Sequence, residues 1–173
     1  MKAFLAVVLF AASIGIALAQ PSTKPKTLPE MQRCMLSERL KAVYTHPSLF
    51  KDRDRFVIVS VTGRPQAYVQ CLFANSEKLL YCEASSLYYA EPKDKPRTLY
   101  LPPDRIRALA RLGFATGPNE KNFRYERPID STADFDAIAT FMLTALRDGY
   151  GLRKSEPIEM KTLLERNAST ACR

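Results

Sequence analysis

The sequence predicts an α+β domain: a mainly antiparallel sheet of about four to five strands with helices packed on one face, in the order α-β-β-β-α-β-α. Three observations point there. Three segments space their apolar residues three and four apart, as amphipathic helices do. Short runs rich in β-branched and aromatic residues lie between them, three in immediate succession, as a meander requires. Pro, Gly and Asn punctuate the joints. With 173 residues, 46% of them hydrophobic, and only six Gly, the chain has the material for one core and none for a Gly-rich phosphate cradle.

The first nineteen residues stand apart from that fold. Lys2 precedes an uncharged apolar run from Ala3 to Ala19, and Ala17-Leu18-Ala19 is the small-x-small pattern that signal peptidase cuts after. Residues 1–19 therefore read as an export signal. A membrane anchor is the competing reading, but a run of about 17 residues is at the short limit for a span. No Cys follows the run to carry a lipid. The expected product starts at Gln20, is secreted or periplasmic, and has no stable membrane span after cleavage. Residues 20–26 are a polar, Pro-containing leader expected to trail in solvent. The domain then occupies 27–165, with a short tail over 166–173.

Thr27 opens the first helix, with Pro29 and Glu30 in its first turn as a reciprocal cap. Leu28, Met31, Met35, Leu36, Leu40 and Val43 supply its inward face, and Pro47 ends it. Residues 56–61 form a nearly continuous apolar run, expected of a strand covered on both faces. Gly63-Arg64-Pro65 turns the chain into the strands 67–73 and 79–85, joined by the polar Asn75-Ser76-Glu77-Lys78. A helix starts at Pro102-Pro103-Asp104 and stops at Gly113, and residues 122–129 form a strand that Pro128 ends or places at an edge. The helix from about Thr132 to Asp148 carries Phe135, Ile138, Met142, Ala145 and Leu146 on one stripe, with Gly149 and Gly151 as terminators. Ile158–Leu164 reads as a weaker helical stretch.

Four Cys in a chain bound for an oxidising space suggest two disulfides. A hairpin turning on Asn75–Lys78 sets Cys71 directly opposite Cys82, and Gln70 opposite Glu83. Closing the bond depends on the loop: a four-residue loop makes Cys71 and Cys82 a narrow, non-hydrogen-bonded pair, where cross-strand bonds close most easily, and a two-residue loop does not. By elimination Cys34 meets Cys172. The competing arrangement is two buried free thiols in the hairpin and two unpaired ones near the ends.

Lys and Arg outnumber Asp and Glu by 26 to 18, and removing Lys2 with the signal leaves 25 to 18, a net charge of +7. The charges are mixed along the chain. Only Arg105, Arg107 and Arg111 make a purely basic cluster, read either as the solvated back of a helix or as a site for anionic surfaces. Nucleic acid is not an expected partner. Tyr88, Tyr89 and Tyr100 bracket a Pro- and Lys-rich loop whose composition suits either an interface or an anchored loop.

The inventory gives little support to catalysis. His46 is the lone histidine, which excludes a multi-histidine metal site and leaves a Ser-His-Asp relay resting on it alone, with no Gly-x-Ser-x-Gly elbow in the chain. No Cys-x-x-Cys pair is present. Asp134 and Asp136 favour a helix N-terminus, and Glu83 is the one acidic group expected to project from the sheet. No metal or cofactor is implied.

Several segments resemble a known family. They are Tyr68-Val69-Gln70, Glu83-Ala84-Ser85-Ser86, Leu109 to Phe114, Asn122-Phe123 and Phe135 through Gly151, including Leu143 and Ala145-Leu146-Arg147-Asp148-Gly149-Tyr150-Gly151. Together they resemble the TY-Chap and YbjN-type domains, which are similar in fold to type III secretion chaperones, over roughly residues 56–152. The resemblance implies a small α+β domain that dimerises or binds other polypeptides, with no catalytic residues to carry over. The expected function is thus an exported, non-enzymatic, chaperone-like module that binds another polypeptide or itself, a homodimer being one form of that. The alternatives are a small exported hydrolase using Glu83, His46 or Asp residues, and a basic envelope protein docking on anionic surfaces.

Overall fold

The computed structural model describes residues 26–47, 51–89, 101–117, 120–164 and 172. The segment read as an export signal, the leader up to residue 25, the loop 90–100 with Tyr100, and most of the tail lie outside the described residues. Helices α1 (Leu28–Thr45), α2 (Pro103–Arg111) and α3 (Phe135–Tyr150) accompany strands β1 (Phe56–Val61), β2 (Arg64–Ala74), β3 (Leu79–Ser85), β4 (Asn122–Pro128) and β5 (Ile158–Lys161). The strands form one sheet in the order β4-β3-β2-β1-β5, every neighbouring pair antiparallel. Among the described residues no helix is long and apolar enough to cross a membrane.

One element differs in kind from the sequence reading. Residues 158–161, expected to be helical, form β5 and pair with β1, with Met160 opposite Val59. Ile-Glu-Met-Lys also alternates apolar and polar, so a period of two fits this short run as well as a helical one. The open edge of β1 decides between them, since an unpaired edge leaves its N–H and C=O groups without partners.

The helices differ from expectation in their stripes and ends. On α1, Leu36, Leu40 and Val43 are buried as expected, but Met35 is 47% exposed and Gln32 is buried in its place. Gln32 can go inside because its Nε2 donates to the Glu156 carbonyl at 2.8 Å. At the start of α1 the Thr27 N–H donates to the Glu30 carboxylate at 2.7 Å. In α3, Asp134 is the N-cap and accepts from the Ala137 N–H, while Asp136 pairs with Arg33 of α1 at 2.7 Å. Gly149 does not end α3, which runs through it to Gly151 in the left-handed region at φ 70°. A Cβ at Gly149 would meet Leu109 Cδ2 at 2.8 Å, so this glycine is a contact point for α2.

The β2–β3 hairpin has the register read from its loop, Cys71 opposite Cys82 and Gln70 opposite Glu83. Asn75, Ser76 and Glu77 all take positive φ. Asp52 steadies that unusual turn by accepting from the Asn75 N–H at 2.6 Å, and Arg55 pairs with Glu77 at 2.7 Å. Cys71 is bonded to Cys82 with Cα atoms 4.1 Å apart, and Cys34 to Cys172 across 138 residues. On the chain-entropy account, so long a loop lets the second bond stabilise by up to about 5 kcal/mol.

Candidate functional site: the open face of the sheet

Alternation along the strands divides the sheet into two unlike faces. One row of partners runs Val57, Cys71, Cys82 and Tyr125, and the row of neighbours beside it runs Phe56, Leu72, Tyr81 and Glu126 on the other side. The first face belongs to the core: Val57, Val59, Val69, Cys71, Phe73 and Cys82 have no exposure and pack with Leu36 and Leu40 of α1 and Met142 and Leu146 of α3. The second face carries Phe56, Ile58, Tyr68, Leu72, Leu79 and Tyr81, all half-buried and none packed against that core. β1 was expected to be covered on both faces. Instead Val57, Val59 and Val61 are buried while Phe56 and Ile58 keep part of their surface open.

A small polar network lies among these apolar side chains. The Tyr81 hydroxyl donates to Glu83 Oε1 at 2.9 Å. Asn122 Nδ2 donates to the Tyr68 hydroxyl oxygen at 3.1 Å and reaches Glu83 Oε2 at 3.5 Å. Asn122 Oδ1 is buried and accepts no hydrogen bond. Burial and the Glu83 carboxylate push the Tyr81 phenol up to about 12. Burial also raises Tyr68, partly offset by the Asn122 hydrogen bond, with Glu83 and Tyr89 adding to the rise.

The loop tyrosines continue this face at the end of β3. Tyr88 and Tyr89 stack edge to face with centroids 4.9 Å apart, and Lys121 Nζ sits 5.9 Å from the centre of the Tyr88 ring. Tyr89 is 52% exposed. Its phenol is close enough to Tyr68 to act on it electrostatically, which joins the loop to the sheet surface. Ser86 fixes the turn by accepting from the Tyr88 N–H and donating to the Lys121 carbonyl.

The basic cluster is split between two roles. Arg105 Nη1 donates to the Asp148 carbonyl at 3.0 Å, helping to cap the C-terminal end of α3 beside a cavity of about 370 Å³ lined also by Arg64, Ala67, Leu87, Leu101 and Tyr150. Arg107 and Arg111 are exposed on the outer side of α2. His46 is the C-cap of α1 on the packed side of the sheet, whereas Glu83 projects from the open side, so the structure does not bring the two together. Among the described residues no group of three His, Cys, Asp or Glu could hold a metal ion.

Sequence reasoning singled out Glu83 and the loop tyrosines but missed Phe56, Tyr68, Leu72, Tyr81 and Asn122 as members of one surface. The signal was available in the hairpin register, which puts Tyr68, Gln70 and Leu72 on the same side as Tyr81 and Glu83.

Fold and surface together define a class: a small α+β module whose antiparallel sheet, among the described residues, is packed by helices on one side and open on the other. The family profile described as T3SS (YopN, CesT) and YbjN peptide-binding chaperone 3, TY-Chap3, matches residues 33–162, and the chain belongs to this family. The match takes in most of α1 and all of β5, beyond the 56–152 stretch that the residue motifs cover. No curated protein and no solved structure matches the chain.

Proposed function

We propose that this protein is an exported, non-enzymatic module that holds a segment of another polypeptide on the open face of its sheet. The observation that carries the reading is the set Phe56, Ile58, Leu72 and Tyr81, half-buried aromatic and aliphatic side chains on the side of the sheet facing away from the core. Such a surface offers apolar area to a partner with little ordering cost, because the strands already fix the side chains. Membership in a peptide-binding chaperone family supports a polypeptide as the occupant. Tyr88 and Tyr89 extend the surface, since tyrosine gives large contact area with few rotatable bonds.

Two disulfides support an exported setting, because reducing compartments keep thiols free. The separation of His46 from Glu83 across the sheet favours binding over a hydrolytic site built on that pair. The split of Arg105 from Arg107 and Arg111 leaves two exposed cations for docking on an anionic surface.

The test is retention of a random pool of blocked hexapeptides by the immobilised, oxidised protein. The wild-type protein should retain a fraction that the Leu72→Ser/Tyr81→Ser double variant releases. Equal retention by both proteins would move the binding surface elsewhere.

A further inference from the structure

We infer that the open face receives a basic side chain of the bound polypeptide, a lysine ammonium or an arginine guanidinium, at the cluster formed by Glu83, Asn122, Tyr68 and Tyr81. The inference rests on the reading that this face binds polypeptide, and deepens it by naming what the site selects.

Glu83 meets neutral donors here: the Tyr81 hydroxyl at 2.9 Å and the Asn122 amide at 3.5 Å. Arg124 stands directly across from it in the β3–β4 register, yet its ion pair is with Glu120 at 3.9 Å. Among the described residues the carboxylate thus has no ion-pair partner, although the Arg124 charge acts on the adjoining Tyr81 phenol. Asn122 Oδ1 adds a buried acceptor that receives no donor. Buried acceptors left unmatched are costly, so a small movement that opens Oδ1 to an incoming donor recovers that cost on binding.

The ligand that answers both features must donate several hydrogen bonds and accept none. Ammonium and guanidinium groups do this, whereas a hydroxyl or amide brings lone pairs of its own. A carboxylate meets like charge at Glu83 and no donor at Asn122 Oδ1. The ring faces of Tyr68 and Tyr81 attract a cation as well. The protein already uses this chemistry at the same end of the sheet, where Lys121 Nζ lies over the Tyr88 ring. The excess of Lys and Arg in the chain opposes a basic ligand at long range, but salt screens such repulsion beyond about 10 Å and leaves contact interactions in place.

The same hexapeptide pool tests the inference when the retained fraction is sequenced by mass spectrometry. Wild-type protein should enrich Lys and Arg roughly fivefold or more over the input pool, and Glu83→Gln should abolish that enrichment while still retaining peptides. Glu83→Lys should turn the preference toward Asp and Glu. Blocked arginine added to the wild-type protein should displace the retained fraction and blocked glutamate should not, which needs no variant to fold. Retention without Lys or Arg enrichment, or enrichment unchanged in Glu83→Gln, overturns the basic-side-chain site and leaves the open face as a binding surface. No retention by wild-type protein overturns both.

Discussion

Residues 68 to 73 contribute alternately to two surfaces of opposite character. Val69, Cys71 and Phe73 point into the core and have no exposure, whereas Tyr68, Gln70 and Leu72, one position away in each case, lie on the open side. The inner side is apolar and tied by a cystine. The outer side mixes aromatic rings with a carboxylate, an amide and an acceptor that nothing fills. Stability is therefore concentrated on one face and the proposed recognition on the other, even though both are built on the same backbone. A core side chain contributes about 1.5 to 3 kcal/mol through burial, while an outer one at half exposure contributes much less until a partner covers it.

That contrast breaks most visibly at Phe73, whose ring packs on Tyr44 at 5.0 Å and on Phe135 at 6.2 Å. Phe73→Ala should lower unfolding free energy by about 3 to 5 kcal/mol in urea titration. Leu72→Ser, next door, should change it by less than about 1 kcal/mol. A comparable loss at both positions would erase the distinction between the faces.

The clamp between Cys34 and Cys172 comes next in size. Replacing both with Ser should cost about 2 to 5 kcal/mol in the same titration and leave peptide retention intact. Tyr150 is a smaller lever: its buried hydroxyl donates to the Ser85 carbonyl at 2.5 Å. Tyr150→Phe should cost about 1 to 3 kcal/mol by leaving that carbonyl unpaired. Substituting Ser at both Leu72 and Tyr81 should lower stability far less than Phe73→Ala does, yet cut peptide retention about tenfold.

The pH response sharpens the comparison further. Burial raises the Tyr81 phenol to about 12 and pushes Tyr150 well above its ordinary value of 10.0. A raised pKa means the folded state holds the proton more tightly, so the stability these groups contribute is fully present below pH 10 and is lost as pH climbs through 10 toward 12. Equilibrium unfolding across that window should show the decline, and Tyr81→Phe should make it shallower. At the acid end, Ser37 and Arg33 hold Asp136 below its ordinary 3.8, so its smaller contribution disappears as pH falls below that value.

The sequence was legible wherever a pattern had one physical meaning. The four-residue turn at Asn75–Lys78 fixed the hairpin register, and with it the position of Cys71 opposite Cys82 and the direction of Glu83. Legibility failed where two meanings fit. Ile158–Lys161 is too short to separate period two from a helix, and the vacant edge of β1 settled it. Gly149 has the composition of a helix stop, but the approach of Leu109 makes it an interior contact. Gln32 and Met35 exchanged expected places because a distant carbonyl, that of Glu156, satisfies the glutamine. The polar cluster on the open face needed the pairing of β3 with β4, which brings Asn122 to Glu83 and Tyr68 across sequence gaps that no local pattern spans.

The most direct test uses methyl NMR with the random hexapeptide pool carrying a nitroxide spin label. Ile58 and Leu72 methyls on the open side should broaden strongly, while those of Val57, Val59 and Val69, on the same strands but facing the helices, should stay sharp. Uniform broadening of both sets, or broadening confined to residues away from the sheet, would contradict the assignment of polypeptide binding to this face.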